Sequence, residues 1–135
     1  MSAPQSVTVT IDIGQAAAGG DSAADDYYTC HGQDGEYKLE AAYFVPMLGT
    51  DAHSSNYVSL TLGQGISSSH TDISSAMTTA STAMALGTVR EFTLTENTSR
   101  EFGATDILFV DRDEAGSFTD NIEGTVVCRF VKARV

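Results

Sequence analysis

The chain has 135 residues, 41% of them apolar, with no Trp, and 18 acidic against 7 basic side chains give it a formal charge of −11 and a pI near 4.3. That is one domain's length, able to bury roughly 65 to 70% of the surface its unfolded form exposes. The acidity repels phosphate backbones and anionic lipid surfaces alike, so neither nucleic acid nor a membrane is expected as a partner.

No apolar run approaches the ~20 residues of a bilayer span. The opening MSAPQS lacks the basic and apolar regions of a signal peptide, so folding in a cytoplasm is expected. Three of the seven basic residues, Arg129, Lys132 and Arg134, sit in the last seven positions. They form a small local reversal of the field, read first as solvated strand residues and otherwise as a patch for an acidic neighbour.

Val7, Val9, Ile11 and Ile13 alternate with Thr8, Thr10 and Asp12, which predicts a strand with one apolar face. Residues 14 to 26, GQAAAGGDSAADD, are small and acidic with no bulky apolar side chain, the composition of a flexible linker. As a coil its ends sit roughly 20 Å apart, and extended it reaches roughly 45 Å. The chain therefore divides into an arm and linker at 1–24 and a body at 25–135. The first strand has two readings: it folds back onto its own sheet, or Val7, Val9, Ile11 and Ile13 bind a partner by adding a strand to a neighbour's sheet edge.

Tyr27, Tyr28 and Cys30 predict a short strand, and HGQDG at 31 to 35 a turn before a strand over 36 to 45 that Pro46 ends. In NYVSLTL, Val58, Leu60 and Leu62 face one way and Tyr57, Ser59 and Thr61 the other, as in a sandwich with one wetted face. Gly63 and Gly65 are expected to close that strand. Residues 66 to 82 are dominated by Ser and Thr around Ile66, Ile73 and Met77. They predict a long loop, with a short helix near 72–80 as the alternative. VREFTLT at 89–95 reads as a strand of mixed faces, ENTSREFGA as a polar turn, TDILFVD at 105–111 as a central strand, DRDEAGSFTDN as a turn, and 125–135 as a last long strand.

Catalytic chemistry finds no anchor, so the chain is not expected to be an enzyme. His70 and Asp72 stand near Ser67, Ser68, Ser69, Ser74 and Ser75, but no Gly-x-Ser-x-Gly turn presents a nucleophile. His31, His53 and His70 lack zinc spacing and are expected as solvated loop residues. Asp111, Asp113 and Glu114 with Gly116 resemble half of a calcium loop without its later bidentate Glu. Asn97-Thr98-Ser99 reads as a turn, and the AAAGG at 16–20 has no following Lys to make a phosphate loop. No cofactor or metal is expected. Cys30 and Cys128 are expected as reduced, buried thiols, with a bridge between two core strands as the alternative.

From about Asp25 to Val135, the run YYTCHGQDGEYKLEAAYFVP, NYVSLTL, a Ser/Thr-rich loop, VREFTLT, TDILFVD and TVVCRF resembles the β-sandwich proteins that decorate the heads of tailed phages and form head fibres. The resemblance implies an all-β, jelly-roll-like antiparallel β-sandwich, here with an extended N-terminal arm. It also implies assembly as a homo-oligomer, usually a trimer. Such a protein is made in the host cytoplasm and seated on the outer capsid surface of the virion. There it binds the major capsid protein as a cement protein and stabilises the expanded shell. The alternative is a fibre or tail-associated receptor- or glycan-binding β-sandwich module, whose aromatics would come from Tyr27, Tyr28, Tyr37, Tyr43 and Tyr57.

Overall fold

A computed structural model describes residues 6–13, 27–30, 36–66, 69–95, 100–103, 105–116 and 122–132. Two antiparallel sheets pack face to face. Their strands are β1 (Ser6–Ile13), β2 (Tyr27–Cys30), β3 (Tyr37–Pro46), β4 (Tyr57–Ile66), β5 (Ser69–Asp72), β6 (Met77–Thr78), β7 (Arg90–Glu91), β8 (Glu101–Phe102), β9 (Ile107–Ala115) and β10 (Gly124–Lys132).

The first sheet runs β1-β10-β3-β7, with β8 also on β3, and the second runs β2-β9-β4-β5, with β6 also on β4. Counting β5 with β6 and β7 with β8 as single positions, the strands pair from the outside inward. β1 joins β10, β2 joins β9, β3 joins β7 and β8, and β4 joins β5 and β6. Successive pairs fall in alternate sheets. This nested winding is a jelly roll, so the expected all-β antiparallel sandwich is what the chain forms.

Period-two alternation decides which side chains enter the core. Val58, Leu60 and Leu62 of β4, Leu108 and Val110 of β9, and Val126, Cys128 and Phe130 of β10 all join one buried cluster with Tyr37, Leu39 and Phe44 of β3. Phe102 meets Phe130 edge-on, centroids 5.1 Å apart at 81°, the arrangement that aromatic quadrupoles favour.

Several expectations are corrected. The first strand is not an arm: β1 pairs with β10 of its own chain from Ser6↔Val131 to Ile13↔Gly124. Ile11 and Ile13 are buried in the core, and Val7 and Val9 pack against it. The boundary at 24/25 therefore does not separate the first strand from the sandwich. Residues 14–26 lie outside the described residues. The Ser/Thr-rich stretch contains β5 and β6, anchored by buried Ile73 and Met77.

The polar turn expected at 96–104 holds β8 and the buried side chain of Arg100. That arginine has a clear local task. The free edge of β3 is covered by β7 only at Tyr43 and Phe44 and by β8 only at Tyr37 and Lys38. Between them, Arg100 Nε and Nη2 donate to the Leu39 carbonyl at 3.0 and 2.9 Å, and Nη1 donates to the Thr95 carbonyl at 3.1 Å. A guanidinium fork thus replaces the missing strand. Replacing it with an apolar side chain strands the Leu39 carbonyl in the interior. Arg100→Met is expected to lower unfolding stability by about 2–4 kcal/mol, read from the urea midpoint, and Arg100→Lys to recover only part of that.

Candidate docking edge and the polar clusters around it

β1 is the outermost strand of the first sheet, so one side of its main chain bonds β10 and the other faces outward. On such a strand, alternate residues direct N–H and C=O away from the sheet. Proteins usually blunt an edge of this kind with Lys, Pro, a bulge or a covering segment. Residues 6–13 contain no Lys or Pro, and their register with β10 is unbroken. The only charged side chain is Asp12, whose Oδ1 accepts the Thr125 hydroxyl at 3.0 Å. Among the described residues no strand pairs with the outer side of β1.

Val7, Val9, Ile11 and Ile13, expected to grip a neighbour, share the inner face and serve this chain's own core. Exposed Thr8, Thr10 and Asp12 line the outer face. What the strand offers a partner is its backbone edge.

On the outer face of the second sheet, His70 lies on β5 and not in a loop. Its ring sits 4.6 Å from that of Phe109, and its Nε2 lies 3.2 Å from Asp72 Oδ1. Gly63 lies between the two rings: a Cβ there would come within 3.1 Å of His70 Cδ2 and 3.3 Å of Phe109 Cδ1. The missing side chain lets the imidazole cover Phe109, which is buried although it faces away from the core. Among the serines weighed with His70, Ser74 is buried and its Oγ accepts the Leu62 N–H at 2.9 Å. Ser69 neighbours His70 on the strand and so points to the opposite face, Ser75 is exposed, and Ser67 and Ser68 lie outside the described residues.

His53 holds the loop before β4, its Nδ1 accepting the N–H groups of Ser55 and Asn56 at 3.1 and 2.9 Å. His31 and Asn97-Thr98-Ser99 lie outside the described residues.

The acidic run after Val110 is strand, not turn, because β9 continues to Ala115. Alternation then separates the carboxylates. Asp111 and Asp113 follow Phe109 onto the outer face, opposite Thr61 and Ser59. Glu114 follows Arg112 inward, where Nη1 meets Oε2 at 2.8 Å with the arginine fully buried. Three carboxylates on two faces do not converge on a cation. Among the described residues no group of three His, Cys, Asp or Glu could hold a metal ion. The turn follows at Gly116, whose φ of 64° puts it in the left-handed region open to glycine.

Sequence reasoning missed both buried arginines. The signal for Arg112 was present, since it shares parity with Leu108 and Val110. A buried cation needs its counter-charge, so Glu114→Ala is expected to cost about 3–5 kcal/mol by urea unfolding.

Cys128 is a free, fully buried thiol in the first sheet, while Cys30 belongs to β2 of the second. Burial pushes the Cys128 thiol from 9.0 up to about 12. In the unfolded chain it ionises above pH 9, whereas the folded protein keeps its proton, so the folded state binds more protons between these values. Stability is therefore expected to fall by about 1.4 kcal/mol per pH unit across that window relative to Cys128→Ala, a slope that urea midpoints at several pH values would measure.

Comparison with protein-family models, with curated proteins and with solved structures finds no match to this chain.

Proposed function

We propose that this protein is a capsid decoration protein of a tailed phage, which binds the major capsid protein on the outside of the head and stabilises the expanded shell. The observation that carries the reading is the nearly uncharged edge of β1, which no strand among the described residues covers, on a jelly-roll body. Eight residues at ~3.4 Å each give a docking line of roughly 27 Å, along which an extended capsid segment can join the first sheet. Main-chain bonds supply affinity in such a contact, and the alternating outer Thr8, Thr10 and Asp12 supply register.

Acidity supports the same reading. A charge of −11 keeps many copies soluble and away from packaged nucleic acid. Binding that favours the expanded shell stabilises it by mass action, and an oligomer multiplies weak single contacts. The glycan-binding alternative loses one of its aromatics, because Tyr37 is wholly buried.

The test is co-sedimentation with expanded, undecorated capsids, using full-length protein. Of two neighbouring residues on an edge strand, one points its N–H at the sheet and the other outward, so Val9→Pro and Thr10→Pro are made together. The variant with the inward N–H is expected to melt well below wild type. The other should keep close to wild-type stability yet lose saturable capsid binding. Wild-type protein that fails to sediment with capsids contradicts the function. Full binding by the stable proline variant contradicts the docking edge.

A further inference from the structure

β1 is covered unevenly along its length. Of the four side chains on its inner face, Ile11 and Ile13 are buried, whereas Val7 and Val9 are half-buried although they pack against the same core. An inner side chain is shielded by the facing sheet and by neighbours on both flanks, and among the described residues β1 has a neighbour on one flank alone, β10. The Ser6 half of the strand therefore still has apolar surface to bury. A strand added along the outer edge would set its own inner side chains beside Val7 and Val9.

Charge is uneven along the same edge. Asp12 is exposed near the Ile13 end, where its Oδ1 takes the Thr125 hydroxyl at 3.0 Å, and a carboxylate has room for further donors. Glu123 adds a second carboxylate at that end, just before the Gly124 that pairs with Ile13. Residues 6–13, 123–128 and 41–46 hold no Lys or Arg. Arg90, with Glu91 beside it, lies on β7 at the opposite edge of the sheet, its Nη1 on the Thr78 carbonyl at 3.0 Å. At the Ser6 end Arg129, Lys132 and Lys38 gather, but Arg129 meets Glu40 at 2.9 Å, Lys38 pairs across the sheet with Glu101, and Glu36 directly precedes the Tyr37 that pairs with Lys132. The edge is thus acidic at one end and balanced at the other.

We infer that the β1 edge selects an extended segment running antiparallel to it, with Lys or Arg opposite Asp12 and apolar residues opposite Val9 and Val7. Antiparallel pairing is the stronger kind, and every strand pair among the described residues has it. Val9 and Val7 precede Asp12 by three and five positions, so the partner carries a basic residue followed three and five positions later by apolar ones. Strand alternation then sends the basic side chain to the outer face and both apolar ones to the inner face. No Lys or Arg of this chain is followed at those two positions by a pair of Val, Ile, Leu, Met or Phe residues, so the occupant is a different protein. The inference rests on the reading of β1 as a docking edge and holds whatever particle supplies the segment.

The test is amide-shift titration of the isotopically labelled full chain with end-blocked synthetic peptides: Lys-Thr-Thr-Val-Thr-Val, the same peptide with Glu for Lys, and the sequence in reverse order. The Lys peptide is expected to shift β1 amides and to bind about fivefold or more tighter than the Glu peptide at low salt, a margin that shrinks as salt rises. Asp12→Asn keeps an acceptor for Thr125 and removes the charge, so it should erase most of that margin and leave the melting curve unchanged. No binding of any peptide at β1, equal binding of the Lys and Glu peptides, preference for the reverse order, or a margin intact in Asp12→Asn would each overturn the inference. Capsid co-sedimentation separates it from the proposed function. A protein that binds the Lys peptide at β1 with the expected margin but ignores capsids upholds the inference and contradicts the function, whereas capsid binding without peptide preference contradicts the inference alone.

Discussion

The fold depends on β10 being paired on both sides. β10 takes β1 along one edge and β3 along the other, and its inner face sends Val126, Cys128 and Phe130 into the core. That single strand joins the two ends of the chain to its longest early strand. Without it β1 has no partner and the first sheet loses its centre. The one irregularity, a shift between Arg129 and Phe130, falls where Arg129 turns out to meet Glu40 at 2.9 Å and Phe130 turns in to meet Phe102. The extra residue is Glu40 of β3: β10 keeps its alternation across the bulge, while on β3 the inward parity changes from Tyr37 and Leu39 to Ala42 and Phe44.

The sheet edges are treated unequally, and the difference bears on function. β4 is covered by two short strands in succession, and β3 by two short strands with the Arg100 fork between them. A fully buried cation at Arg112 is held by a neighbour on its own strand. Arg100 and Nη1 of Arg112 thus find their partners within the chain. β1 departs from that pattern, for among the described residues no strand covers its outer edge, and apart from Asp12 it has no charge, proline or bulge to discourage pairing. In an acidic chain a strand edge whose single charge is Asp12 is a natural place for contact, suited to an extended backbone.

Strands were legible wherever apolar alternation met a turn signal. Val58, Leu60 and Leu62 gave both the element and its inward face, and the length of β3 up to Pro46 followed from composition alone. Partnership was less legible. The alternation of Val7 to Ile13 announces a strand but says nothing about which sheet receives it, and the bland segment that follows left the question open.

Charge misled in the other direction. Asp111, Asp113 and Glu114 look like a turn because acids crowd there, yet each is placed by its parity on β9. Gly63 and Gly65 look like a strand end, but Gly63 is a gap left for the ring of His70 within a strand that continues. Arg100 hid in a stretch of polar residues, since nothing local shows that its fork faces an incomplete edge 61 residues earlier in the chain.

The most direct measurement is amide hydrogen exchange through β1, in the free protein and in the presence of expanded capsids. Slow exchange is expected at one set of alternating amides in the free protein, those bonded to β10, and fast exchange at the intervening set until capsid binding slows it. Fast exchange at every β1 amide of the free protein would contradict the strand's place in its own sheet. An unchanged intervening set in the bound protein would contradict its role as the docking edge.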